Sequence, residues 1–137
     1  HTPEALKHSL SEIREFHEGE IWCVFGCGGN RDKEKRPIMG EIAEHYSDHV
    51  IITDDNPRNE ASTKIIAEIV EGTKKSATVK TISNRKAAIK FTLEEMAKRK
   101  SMNIMLLAGK GHENYQIIGS ERKPFDDRET LISLGRK

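Results

Sequence analysis

Two hydrophobic patterns alternate along the chain. Short continuous apolar runs, Ile21-Trp22-Cys23-Val24-Phe25, Val50-Ile51-Ile52 and Ile104-Met105-Leu106-Leu107-Ala108, stand between stretches whose apolar residues recur every three or four positions. A short run apolar on both faces predicts a strand inside a sheet; the wider spacing predicts an amphipathic helix. Thr2-Pro3-Glu4 is a helix start: a hydroxyl cap, a proline whose missing N–H costs nothing there, and an acid near the positive end of the dipole. Leu6, Leu10 and Ile13 follow with Phe16 adjoining, which predicts a helix over 3–17 that Gly19 ends. The strand at 21–25 runs straight into Gly26-Cys27-Gly28-Gly29-Asn30. Pro37 is expected to open a second helix, with Met39, Ile42, Ala43 and Tyr46 inward. The strand at 49–53 ends in Asp54-Asp55-Asn56-Pro57-Arg58, a turn composition. Ala61, Ile65, Ile66, Ile69 and Val70 mark a third helix, and 78–82 a short peripheral strand. Asn84 caps a fourth helix carrying Ala87, Ala88, Phe91, Leu93 and Met96. Residues 103–108 read as another fully buried strand, running into Gly109-Lys110-Gly111-His112-Glu113. A hairpin around Gly119-Ser120 pairs 115–118 with 123–125, and Asp126-Asp127 cap a last helix with Leu131, Ile132 and Leu134.

Strands separated by helices imply right-handed crossovers and a parallel sheet covered on both faces. The expectation is one domain over residues 1–137: a Rossmann-like, three-layer α/β fold with a mostly parallel sheet and a short C-terminal hairpin.

Composition narrows the function classes. Lys plus Arg is 23 and Asp plus Glu is 22, a net charge of +1, so the surface creates no field to attract nucleic acid or an anionic membrane. The apolar runs are too short for a transmembrane helix. Two cysteines, Cys23 and Cys27, exclude a disulfide-dense secreted scaffold. They lack a partner pair at zinc-finger spacing, so buried free thiols are expected and no metal site. Trp22 and Phe25 are expected in the core. No signal peptide is recognisable, and a cytoplasmic monomer is expected. The chain starts at His1 rather than Met, so it is expected to be part of something longer.

Ligands of open parallel sheets bind beyond the carboxyl ends of the strands. Three such ends here lead into unusual polar loops, at 26–37, 54–58 and 109–113, expected along one edge. The first has glycines for close backbone approach, and Arg31, Lys33, Lys35 and Arg36 give it local positive charge suited to carboxylate or phosphate. It lacks the third glycine of a dinucleotide fingerprint. The second combines Asp55, Asn56, rigid Pro57 and the planar cation Arg58. This set suits an amino acid zwitterion, the acid taking ammonium and the guanidinium taking carboxylate; a turn in which Asp55 and Arg58 pair with each other stays open. The third loop lacks the spacing and Ser/Thr of a phosphate-binding P-loop; Glu113 could receive ammonium, and His112 reads as a structural histidine.

Taken together, GCGGNRDKEKRP, DDNPR and GKGHE in this order resemble the C-terminal domain of the Mur ligases, and the resemblance covers essentially the whole chain. The opening HTPEAL resembles the end of the family motif at the junction of the central and C-terminal domains. The resemblance implies a fragment of a three-domain, ATP-dependent amide ligase of peptidoglycan synthesis. In that family ATP phosphorylates the D-Glu carboxylate of UDP-MurNAc-L-Ala-D-Glu, and the amine of an incoming amino acid attacks the acyl phosphate. ATP and Mg²⁺ are held mainly by the central domain, so the fragment alone is expected to be inactive and to carry no catalytic residue. The intact DNPR resembles the signature of the members that add meso-diaminopimelate. Carried over by motif, Arg31, Asp55, Asn56, Pro57, Arg58, Gly109 and Glu113 bind that amino acid, while His1 and Thr2 fall in the junction motif that approaches ATP. The chain departs from the family at Lys33-Glu34-Lys35, where a glycine usually separates the lysines, and at Asn30, often Asp. Two rival readings are a lysine-adding ligase of the same family, and a stand-alone, non-catalytic α/β module binding anionic metabolites.

Overall fold

The computed structural model describes residues 2–29, 33–74, 76–99 and 102–108, together with the backbone of 115–118 and 121–124. Helix α1 (Pro3–Phe16) starts as its sequence dictates: the Thr2 Oγ1 accepts from the Ala5 N–H at 3.1 Å, and Pro3 is the first helical residue. Strand β1 (Glu20–Phe25) follows, then α2 (Lys35–Tyr46), β2 (His49–Ile52), α3 (Ser62–Val70), β3 (Val79–Thr81), α4 (Arg85–Ala97) and β4 (Asn103–Leu107). A hairpin of β5 (Tyr115–Ile118) and β6 (Glu121–Pro124) completes the described elements, antiparallel as expected. The last helix expected after Asp126-Asp127 lies outside the described residues.

The sheet order is β3-β2-β1-β4 and every pairing in it is parallel. Two crossovers step one way, from β1 to β2 to β3, and the third returns past them to β4. With right-handed connections, α2 and α3 must cover one face and α4 the other. The core divides accordingly. Ile21, Cys23 and Phe25 of β1 pack with Leu6, Leu10, Met39, Ala43, Ile65 and Ile69 from α1, α2 and α3. Val24, of opposite parity, packs with Ile51 and Ala88 of α4. This is the expected three-layer α/β architecture, and each fully buried Ile or Leu contributes about 1.5–3 kcal/mol to it. Among the described residues no helix is long and apolar enough to cross a membrane.

Three local expectations shift. Helix α2 begins at Lys35, two residues before Pro37, because the first-turn N–H groups have no intrahelical acceptor and a proline there forfeits nothing. Helix α4 turns inward a face that the apolar pattern marks only in part: Ala88 is buried and Phe91 packs against the core, but Arg85, Ile89 and Thr92 are buried too, while Ala87 is exposed. The polar members of that stripe are hydrogen-bonded to carbonyls, Thr92 to that of Ala88 at 2.8 Å and Arg85 to more distant ones, so hydrophobicity alone does not show the whole face. Strand β4 is half-buried rather than fully buried, since among the described strands it pairs only with β1 and forms the sheet edge.

Trp22 and Phe25 are buried as expected, and Trp22 also stacks on the His49 ring at 3.8 Å and donates to Asn103 at 2.9 Å. Both cysteines are free and buried. Burial pushes the Cys23 and Cys27 thiols up to about 12; at Cys27 nearby Arg36 pulls the other way and Asp55 reinforces the rise. At neutral pH neither offers a thiolate. Native protein is therefore expected to resist iodoacetamide, and both thiols are expected to label once denaturant is added. Labelling of native Cys27 at the denatured rate, read by mass spectrometry, would contradict its placement.

Candidate functional site

In this strand order the chain reverses direction between β1 and β4. The crevice beyond their carboxyl ends is where open α/β sheets receive ligands. The loops after β1 and β2 meet there directly. The Thr53 N–H donates to the Phe25 carbonyl at 2.9 Å, and the Gly29 N–H donates to the Asn56 carbonyl. A Cβ at Gly26 would land on the Thr53 carbonyl, and one at Gly29 on the Pro57 carbonyl. The close approach expected of these glycines is thus backbone of one loop against backbone of the other. On the far side of β1 the Ala108 N–H donates to the Val24 carbonyl at 2.9 Å, so β4 ends at the same edge.

The second loop carries the most distinctive residue. Arg58 is half-buried and has φ of 53°, the one non-glycine left-handed residue among those described. Its Nη1 donates to the Gly29 carbonyl at 3.0 Å and to the Asn56 carbonyl at 3.3 Å. Among the described residues its hydrogen-bond acceptors are thus carbonyls, which carry no formal charge, rather than the Asp55 carboxylate left open by the sequence. A bulky side chain in the left-handed region costs about 1–3 kcal/mol, and such residues cluster at ligand sites. Asp55 and Asn56 are 2% and 3% exposed, and Pro57 is buried. A ligand meets Asp55 or Asn56 only in a closed, desolvated contact, where a charge pair is strongest. Burial raises the pKa of neighbouring Asp54, and Asp55 adds to the rise, against the Ser62 hydroxyl at 3.1 Å and the Arg85 charge.

Arg31, Gly109 and Glu113 lie outside the described residues, as does His1. Thr2 is described, and its hydroxyl caps α1. One expectation needs correction. Arg36 was counted among the cations open to a ligand, yet it is 1% exposed. Its guanidinium takes Glu60 at 2.9 and 3.0 Å, Glu68 at 2.6 Å and the Gly28 carbonyl at 2.8 Å. The hydrogen bond it donates to Glu60, opposed by burial and helped by Glu68, raises its pKa. Arg36 ties the glycine loop to α3; nearby Lys33 is 4.0 Å from Glu60. A second buried arginine, Arg85, escaped the sequence reading. It donates to the Asp54 carbonyl at 2.9 Å and the Ala108 carbonyl at 3.1 Å. The signal that could have revealed it is a cation directly after a helix cap, against the dipole.

The family model for the Mur ligase glutamate ligase domain matches residues 1–111. Among curated proteins, the chain is 49% identical to a UDP-N-acetylmuramoyl-L-alanyl-D-glutamate--2,6-diaminopimelate ligase of Haemophilus influenzae (strain PittGG), over 98% of this chain and 27% of the relative. It is 50% identical to the ligase of the same name from Rickettsia montanensis, over 96% of the chain and 27% of the relative. A solved structure of a ligase with that name superposes with a TM-score of 0.89 at 41% identity, covering 98% of this chain and 27% of the other. The chain thus spans about a quarter of the length of these relatives. Since the motif loops, the sheet that brings two of them together and the match over residues 1–111 agree, the chain belongs to the Mur ligase family and corresponds to its glutamate ligase domain.

Proposed function

We propose that this chain is the amino-acid-binding, C-terminal part of a three-domain ligase that adds meso-diaminopimelate to UDP-MurNAc-L-Ala-D-Glu with consumption of ATP. The observation that carries the reading is Arg58, a strained cation presented at the switch point and held, among the described residues, by two carbonyls rather than by a carboxylate. Diaminopimelate has, at the end remote from the new amide, a carboxylate and an ammonium that lysine's plain amine lacks. Arg58 and Arg31 offer planar forks to carboxylates; Asp55, Glu113 and the Gly109 carbonyl can accept from ammonium, with Asn56 and Pro57 shaping the loop. The relatives named above as diaminopimelate ligases support this choice over lysine.

In this reading ATP turns the D-Glu carboxylate into an acyl phosphate, the amine of the bound amino acid attacks it, and phosphate leaves as the amide forms. This domain's share is orientation: it fixes the amine against the acyl phosphate and excludes the competing nucleophile, water. Among the described residues no group of three His, Cys, Asp or Glu side chains is placed to hold a metal ion. By the resemblance to the family, Mg²⁺ and most of the ATP contacts are assigned to the remainder of the enzyme, and no step here runs through them.

The test is amide formation by the full-length enzyme, with diaminopimelate and lysine offered side by side and residues 1–137 alone as control. The full-length protein is expected to ligate diaminopimelate and to reject lysine by orders of magnitude, because a buried polar site is left unpaired by the wrong substrate. The 137-residue chain alone is expected to turn over no ATP. Preference for lysine would favour the lysine-adding reading, and ligation by the isolated chain would overturn the fragment reading.

A further inference from the structure

Arg85 breaks two local rules at once. It is the first residue of α4, directly after the Asn84 cap, whose side chain accepts from the Ala87 N–H at 2.8 Å, so its charge sits at the positive end of the helix dipole. It is also only 1% exposed, in a chain whose other cations are mostly at the surface. What it holds accounts for its position. Nη1 donates to the Asp54 carbonyl at 2.9 Å, and Nη2 to the Ala108 carbonyl at 3.1 Å. Those carbonyls belong to the residues immediately before Asp55 and before Gly109. Strands β2 and β4 are not neighbours: β1 lies between them and is bonded to each, so no ladder bond joins their ends directly. One rigid guanidinium with two separate donors does so; a lysine ammonium, whose donors diverge from a single point, cannot hold both with the same geometry.

We infer that Arg85 is a positioning residue for the amino acid substrate: by tying the carbonyl before Asp55 to that of Ala108, just after β4, it fixes the stance of the 55–58 loop assigned above to the substrate. The inference rests on the assignment of that loop to the amino acid. Arg85 touches backbone at Asp54 and Ala108, and it acts through Asp55 and Arg58. A displacement of about 1 Å at such a site changes rates or affinities by about a hundredfold.

The experiment compares Arg85→Met, Arg85→Lys and Arg58→Ala in the full-length ligase, measuring KM for diaminopimelate, ATP and the UDP-linked acceptor, with a thermal melt of each variant. Arg85→Met is expected to raise the diaminopimelate KM by about ten- to a hundredfold and to leave the other two KM values within about twofold. Arg85→Lys is expected to recover part of the loss. An unchanged diaminopimelate KM, or an equal rise in all three, overturns the inference in favour of a plain stability role. Should Arg85→Met fail to fold, Arg85→Lys decides by the same pattern, and unfolding of both variants also overturns it. Arg58→Ala separates the two layers of the argument. If it leaves the diaminopimelate KM unmoved, the amino-acid reading falls and takes the inference with it; if it raises that KM while the Arg85 variants do not, only the inference falls.

Discussion

Replacing Arg58 by alanine in the full-length ligase is expected to raise the KM for diaminopimelate by about a hundredfold or more while leaving the KM for ATP nearly unchanged. A bidentate pair with a carboxylate comprises two charge-assisted hydrogen bonds of about 1.5–3 kcal/mol each, and about 1.4 kcal/mol is a factor of ten. The neutral variant also releases the Gly29 carbonyl and places alanine at φ of 53°, a conformation alanine dislikes no less than arginine does. Arg58→Lys controls for charge: it keeps the cation, loses the fork, and is expected to fall between wild type and alanine. The preference for diaminopimelate over lysine should shrink in the alanine variant, because the group that distinguishes the substrates has lost its partner. A parallel rise in both KM values would instead show a loop that has lost its shape, and would count against a dedicated amino-acid role.

Arg36→Met is expected to cost about 3–5 kcal/mol of stability, the largest loss from any single side chain described above. The wild-type guanidinium holds Glu60, Glu68 and the Gly28 carbonyl at once. Removing it takes from two mostly buried carboxylates their closest described cation, and this loss of charge compensation, more than the lost attraction, is what destabilises. Arg36→Met combined with Glu60→Gln and Glu68→Gln should therefore recover most of the loss, since no uncompensated charge is left behind. Urea denaturation of the 137-residue chain measures both variants. If the single and triple variants have equal midpoints, the cluster is not the source of the effect.

The sequence made the strands plain where burial is two-sided. Ile21 to Phe25 and Val50 to Ile52 could only be interior strands, and the Thr2-Pro3 start of α1 was equally direct. It failed where polar groups do structural work inside. Arg36 stands in a run of charges, Lys33-Glu34-Lys35-Arg36, and nothing local separates the one that turns inward from the three that stay at the surface. Its partners Glu60 and Glu68 are distant in the chain, so only the fold reveals the ion pairs. Arg85 and Thr92 hid the inner face of α4 for the same reason: their hydrogen bonds to carbonyls, invisible to a hydrophobicity pattern, are what permit burial. Arg58 was legible because its neighbours Asp55, Asn56 and Pro57 form a dense local motif, although its left-handed backbone was not.

The contact between the Gly26–Gly29 and Thr53–Pro57 segments bears on how this site can change over generations. It is made of amides, carbonyls and missing Cβ atoms, so it is indifferent to most side-chain replacements but intolerant of added length in either segment. Under the proposed reading, a descendant that acquires a taste for a different amino acid has a cheap route in exchange of the side chain at position 58 and a closed route in insertion into the loops that frame it. Transplanting this specificity onto another scaffold would require moving both segments together, with the buried arginines that anchor them.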